Sequence, residues 1–231
     1  MKSALVIGGG PAGLMAAQEL ALAGAAVTLV EAKPSLGRKF LMAGKSGLNL
    51  TMNEPVEAFV ANYDESETWL SQILQNFGPD EVIELARYLN QTVFTGSSGR
   101  VFPKVMKASP MLRSWINRLN TLNVRMLTKW RWIGWDRDAL MFETAEGQKS
   151  LDSDVIVLAL GGKSWAKLGS DGEWASLFED VVAPFGPSNS AISVNWSSHL
   201  EPYFGSPLKA VKFTSGTYQS RGEAVISKKG L

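Results

Sequence analysis

The stretch Gly8-Gly9-Gly10-Pro11-Ala12-Gly13 constrains this chain more than any other. It fits the pattern G-x-G-x-x-G, and its flanks are the ones that pattern requires. Ser3 to Ile7 is a short apolar run, the length of one buried strand in a parallel sheet. Leu14 to Ala23 is apolar almost all round apart from Gln18 and Glu19, which predicts a helix lying against a sheet. Gly24 stops that helix, and Ala26 to Val30 reads as a second strand ending in Glu31.

Each residue type meets a physical need. Gly8 permits the tight turn out of the strand. Gly10 lets a pyrophosphate approach the backbone where helix N–H groups are free, and Gly13 lets helix and strand pack closely. Glu31 follows Gly13 after seventeen intervening residues, the place for an acid that accepts hydrogen bonds from a ribose diol. Strand, turn, helix, second strand and acid in that order predict a dinucleotide-binding unit. The acid argues against a 2′-phosphate and so against NADP, but does not separate NAD from FAD.

Composition narrows the chemistry. The 231 residues are enough for one large domain or one and a half smaller ones. A net charge of +1 points to no partner through global electrostatics. The absence of cysteine excludes disulfide exchange, thiolate nucleophiles and Cys-ligated metal. The single histidine, His199, cannot build a His-rich metal site. Lys2 ahead of an apolar run resembles a signal peptide, but three glycines, Pro11 and the Gln18-Glu19 pair break the run. The strand starts almost at Met1, so no removable leader is expected, and no stretch is long and apolar enough to span a bilayer. The expectation is a soluble cytoplasmic protein.

Residues 55 to about 122 read as mainly helical. Trp69, Ile73, Leu74 and Phe77 recur at helical spacing, and these aromatics are expected in a core. Gly78-Pro79-Asp80-Glu81 is a helix start, with Pro at the first position and acids in the first turn. Val82, Leu85, Ala86 and Leu89 form its stripe. Ser109-Pro110 opens a third helix, with Leu112, Trp115, Ile116 and Leu119 facing inward. Between Leu85 and Trp135 no acid occurs, while nine basic residues do: Arg87, Arg100, Lys104, Lys107, Arg113, Arg118, Arg125, Lys129 and Arg131. No nucleic-acid motif accompanies them, so a positive wall beside phosphates or an anionic substrate is the preferred reading. Val124 to Thr128, Trp130 to Trp135 and Leu140 to Thr144 read as strands of a meander. Asp154 to Leu160 returns to a fully buried parallel strand ending in Gly161-Gly162. From Pro184 the texture changes, and Ser190 to Asn195, Ala210 to Phe213 and Glu223 to Ser227 are short strand candidates.

The loop after Glu31 carries Gly37-Arg38-Lys39-Phe40-Leu41-Met42-Ala43-Gly44-Lys45-Ser46-Gly47-Leu48-Asn49-Leu50-Thr51. With Gly8 to Gly13 and Glu31 it resembles the BaiN/YhiN-like family of FAD-dependent oxidoreductases, also described as aminoacetone-oxidase-type flavoproteins. Gly99 to Lys104, Ala159 to Gly162, Gly169 to Gly172 and Gly205 to Lys209 extend the resemblance over essentially the whole chain. Many members carry Arg-Cys-Asn where Gly47-Leu48-Asn49 stands here, which places this chain with a cysteine-free subgroup.

The resemblance implies an α/β fold. A glutathione-reductase-type FAD-binding (Rossmann-like) domain over 1–182 carries the helical insertion and the β-meander, and an incomplete β-rich second domain spans 183–231. Family members continue further and return to the first domain with another glycine-rich segment. The end of this chain is therefore expected to leave apolar faces exposed around Val211, Phe213, Val225 and Ile226. The expected cofactor is FAD, held non-covalently, with Gly8, Gly10 and Gly13 at the pyrophosphate and Glu31 at the ribose. Lys39 and the loop bearing Gly44, Lys45, Ser46, Asn49 and Thr51 are expected beside the phosphates and flavin. Trp132 would offer backbone groups to the adenine, and Gly161 and Gly162 would approach the dinucleotide. A small-molecule substrate is expected, with NAD(P)H a candidate external electron donor and no nucleic-acid or membrane partner. The catalytic acid or base stays unassigned, Lys45 and Arg100 being candidates as cations in motif-bearing loops. The alternatives are an NAD-linked dehydrogenase and a non-catalytic truncated nucleotide-binding protein.

Overall fold

The computed structural model describes residues 1–43, 47–178, 181–186 and 191–231. It divides into two units, Met1–Ala183 and Pro184–Leu231. The first unit begins with strand β1 (Ser3–Ile7), helix α1 (Pro11–Leu22) and strand β2 (Ala26–Glu31), and β1 and β2 pair in parallel from Ser3 opposite Ala26 to Ile7 opposite Val30. Alternation along these strands sets the layers. Ala4, Val6, Val27 and Leu29 face one side, where Leu14 and Ala17 of α1 pack on them. Leu5, Ile7 and Val30 face the other. Because side chains on a strand alternate faces, both sides of this sheet are apolar and both must be covered.

Short elements then lead away from the sheet. Helix α2 (Arg38–Ala43) is followed by strand β3 (Thr51–Met52), helix α3 (Val56–Val60), a 3-10 segment Ala61–Ser66, and helices α4 (Glu67–Asn76) and α5 (Pro79–Tyr88). Glu81 accepts the Gly78 N–H at 2.8 Å and so closes the start of α5 as its sequence predicts. On α4 the apolar stripe is outside rather than inside: Trp69 is 62% and Ile73 52% exposed, and Phe77 just beyond it is 39% exposed. The reading as mainly helical also misses a hairpin. Strands β4 (Val93–Thr95) and β5 (Arg100–Pro103) pair antiparallel, and β3 joins the other edge of β5. This sheet brings two motif-bearing segments together, with Leu50 N–H donating to Val101 and Asn53 N–H to Gly99.

Helix α6 (Ala108–Thr121) returns to the parallel sheet. Met111, Leu112, Trp115 and Leu119 are buried in the same core as α1. Strand β6 (Arg125–Thr128) corrects the expected meander, since it pairs in parallel with β2 and becomes the outer strand of the sheet on that side. The antiparallel sheet is instead β7 (Arg131–Asp136), β8 (Ala139–Thr144) and β9 (Gly147–Leu151). It covers the second face of the parallel sheet with Trp132, Leu140 and Phe142.

Strand β10 (Val155–Leu158) pairs in parallel with β1 and completes the order β10-β1-β2-β6. It is not the fully buried strand its composition predicts. Val155, Ile156 and Leu158 are each over a third exposed, because β10 is an edge strand at the end of that order. A 3-10 segment, Glu173–Phe178, follows.

The second unit contains a 3-10 segment Ser198–Tyr203 and the antiparallel pair β11 (Pro207–Ser215) and β12 (Tyr218–Val225). Of the strand expected over 190–195, Ser190 lies outside the described residues, and Ser193 makes only an isolated bridge to Gly230. Val225 is exposed, but Ile226 is buried, contrary to the expectation for it.

Candidate functional site

The turn from β1 into α1 shows what each glycine does. Gly8 has φ +114°, and a Cβ there would collide with the Ala159 carbonyl, so β1 and the end of β10 approach more closely than any side chain allows. A Cβ on Gly13 would collide with the Gly8 carbonyl, so that position serves the packing of helix on turn. At Gly10 the outcome is different: among the described residues a Cβ would meet nothing within 4 Å. Gly10 therefore faces open space at the N-terminus of α1. Among the described residues no side chain caps that helix, and its first residue, Pro11, has no N–H to satisfy.

Glu31 closes the turn from the other side. Its Oε2 accepts the Gly9 N–H at 2.9 Å and its Oε1 accepts the Lys33 N–H at 2.7 Å. Each oxygen keeps a further lone pair for a hydroxyl.

These groups border a cavity of about 610 Å³, within the range of small-molecule sites. Gly8, Gly10 and Glu31 line it at the turn, Trp130, Arg131 and Trp132 line it from β7 and the residue before it, and Gly161, Ser170, Asp171 and Trp174 line it from beyond β10. Further aromatic rings back Trp132 and Trp174 from behind the cavity lining. Trp132 packs edge-on against Trp135 with ring centroids 4.6 Å apart, and Phe178 touches both as well as Trp174. Trp132 is 9% exposed, and its indole N–H is buried without a partner among the described residues.

Charge at the rim is partly paired. Arg131 bonds Glu173 at 2.7 Å and lies 3.7 Å from Asp171. The Glu173 N–H, donated to Asp171 Oδ1 at 3.1 Å, is the main reason the Asp171 carboxyl is held below its ordinary range. Lys39 donates from Nζ to the carbonyls of Gly162 and Ser170, both at 2.7 Å, and desolvation lowers its pKa. Of the nine basic residues between Leu85 and Trp135, only Arg131 lines the cavity, so the expected positive wall is not there. They are dispersed over several elements: Arg87 pairs with Glu84, and Arg118 lies over the Tyr88 ring.

The structure thus brings together Gly8, Gly10, Glu31, Lys39, Trp132 and Gly161 around one cavity. Gly13 stands behind the turn, and Gly162 takes part through its carbonyl bond to Lys39. Asn49 is exposed and Thr51 buried in the separate β3–β5 sheet, and neither borders the cavity. Arg100 lies on β5, also away from it. Gly44, Lys45 and Ser46 lie outside the described residues. Sequence reasoning missed Trp130 and Trp174 as lining residues, and of its expected basic wall it found Arg131. Trp174 lies just beyond the Gly169-Gly172 motif, but nothing in its own spacing signals a wall.

A parallel sheet covered by helices on one face, with a glycine turn and an acid at the ends of its first two strands, defines a Rossmann-type nucleotide-binding domain. The chain belongs to the HI0933-like family, whose Rossmann-domain model matches residues 2–185. That family comprises FAD-dependent oxidoreductases and includes the BaiN/YhiN-like members. Among solved structures, the chain is similar to the open conformation of a flavocytochrome c3 fumarate reductase, with 23% identity and a TM-score of 0.53, covering 70% of this chain and 34% of that one. It is also similar to THI4 of Thermovibrio ammonificans, at 14% identity and a TM-score of 0.46, covering 72% of this chain and 60% of that one. The chain therefore spans less than two thirds of either protein's length. Among the described residues no helix is long and apolar enough to cross a membrane, and no cluster of ligating side chains could hold a metal ion.

Proposed function

We propose that this chain is the FAD-binding part of an oxidoreductase that holds FAD non-covalently in the cavity and passes an electron pair between the flavin and a small substrate. The observation that carries this reading is the open space at Gly10. The turn is crowded at Gly8 and Gly13 but vacant where a pyrophosphate would meet the start of α1. Two further features fit the same group. Glu31 has lone pairs left for a ribose diol, and Trp130, Trp132 and Trp174 give the cavity an apolar lining for a flat ring system.

In this reading the chain's own residues bind and orient. The uncapped first turn of α1 and the glycine backbone take the pyrophosphate, Glu31 fixes the adenosine ribose, and Trp130, Trp132 and Trp174 exclude water from the wall. Bound flavin would supply the hydride or electron-pair chemistry.

Visible absorbance of the purified protein, followed by FAD titration of the cofactor-free form, tests the reading. Flavin bands in the isolated protein, or saturable one-to-one uptake of FAD, are expected. Preferential binding of NAD, or no nucleotide binding by a folded chain, would overturn it.

A further inference from the structure

The segment from Leu160 to Asp171 forms one wall of the cavity, yet very little apolar packing holds it. Residues 161–167 are all exposed, and no helix or strand runs through the segment. What fixes it is a set of donors aimed at its main-chain carbonyls. Lys39 Nζ bonds both Gly162 O and Ser170 O at 2.7 Å, and Arg38 Nε bonds Leu168 O at 3.0 Å. From within the loop and just after it, Ser170 Oγ and Trp174 Nε1 converge on Gly161 O at 3.4 and 2.9 Å.

Arg38 and Lys39 are themselves fixed. They are the first two residues of α2, and Gly37 immediately before them donates its N–H to Gly9 O at 2.8 Å. A Cβ at Gly37 would come within 2.7 Å of Leu112, so the start of α2 is also pressed on α6. The middle of the glycine turn is thereby tied through Gly37 to α2, and α2 is tied to the opposite wall.

We propose that Arg38 and Lys39 are positioning residues that clamp the 162–170 wall at a set distance from the glycine turn, rather than phosphate ligands. A charged donor shared between two carbonyls 131 and 123 residues away in sequence loses rotamer freedom once and orders two points of a loop at the same time. Two of the three Nζ donors of Lys39 are spent in this way. On the reading that the cavity takes FAD, the clamp keeps this wall in register with the glycine turn across the cavity.

Amide hydrogen exchange on the cofactor-free chain tests the clamp without relying on FAD. In Lys39→Met, exchange of the Leu168, Gly169 and Gly172 amides, which donate to Trp165 O, Ala166 O and Ser170 Oγ, should rise roughly tenfold or more, while the β1 and β2 amides keep their protection. Lys39→Arg, which retains a charged multiple donor, should restore most of that protection. Affinity for inorganic pyrophosphate should stay within about twofold of wild type in Lys39→Met, since the anion is held by the glycine turn. Unchanged exchange in Lys39→Met would overturn the proposal, and so would loss of pyrophosphate binding without a change in exchange, which would make Lys39 a phosphate ligand. If Lys39→Met does not fold, Arg38→Gln carries the same comparison through the Leu168 carbonyl, with the same two outcomes. Failure of the wild-type chain to take up FAD would count against the proposed function alone.

Discussion

Gly9 donates its main-chain N–H to Glu31 Oε2 at 2.9 Å, so the acid at the end of the second strand holds the glycine turn even before any ligand arrives. The other oxygen takes the Lys33 N–H. One carboxylate thus organises both the turn and the start of the loop that leads to α2.

Replacing Glu31 should therefore affect the empty protein as well as its affinity. Glu31→Ala is expected to weaken FAD binding by roughly 1–3 kcal/mol, through loss of a charged acceptor for the ribose. It should also destabilise the cofactor-free chain by about 1–3 kcal/mol, since the buried Gly9 N–H is left without its acceptor. Glu31→Gln should do no better, because its amide group turns a donor toward one of two N–H groups. FAD titration and urea unfolding of the same samples check this. Unchanged affinity in Glu31→Ala would remove the acid from the site.

The glycines should separate into two classes. Gly10→Val is expected to abolish FAD uptake while leaving helix content and the unfolding midpoint near wild type, because the new side chain enters open space reserved for the ligand. Gly13→Val should instead destabilise or prevent folding, because its Cβ meets the Gly8 carbonyl. Circular dichroism measured beside flavin retention distinguishes them. Loss of fold in Gly10→Val would assign that glycine to packing.

Acid should loosen the start of the sheet. Asp154 Oδ2 accepts both the N–H and the hydroxyl of Ser3 at 2.7 Å, and the backbone bond is the main cause that holds its pKa below the ordinary carboxylate value. A carboxyl depressed in the folded state contributes stability above its unfolded pKa and loses it as pH falls through the folded value. Asp154→Asn should therefore be less stable than wild type at neutral pH, and the difference should shrink as the pH is lowered into and below the carboxylate range. Thermal melts of both proteins across that range test the sign. A difference that grows with acid would contradict it.

The wall of the cavity depends on the core beneath it. Phe142 is fully buried, packs against the Trp130 ring, and shares a core with Leu5, Ile7 and Val30 of the parallel sheet. Phe142→Ala should cost about 3–5 kcal/mol in urea unfolding, by lost burial plus the void left behind. If the meander is what supports the aromatic wall, flavin affinity should fall with it. A drop of less than about 1 kcal/mol would mean that the two sheets are less closely packed than this.

The sequence alone determined the local part of the design. Strand, turn, helix, strand and acid follow one another within thirty-one residues, and each is encoded by spacing or by a residue whose backbone freedom is special. Periodicity likewise carried the inward face of α6 and the start of α5. Tertiary structure decided what depends on neighbours far along the chain. Nothing in the four residues of β6 says that they pair with β2 rather than with β7. Apolar composition made β10 look buried, but a strand's burial depends on whether a neighbour covers its edge and faces, and β10 is the outer strand. The cations between Leu85 and Trp135 look like one wall when read in a line, and folding disperses them onto different elements. For Lys39 the sequence supplied a charge near a glycine-rich loop. Only folding brought it the carbonyls of Gly162 and Ser170, more than a hundred residues away, because hydrogen-bond partners are chosen by distance in space and leave no periodic trace in the chain.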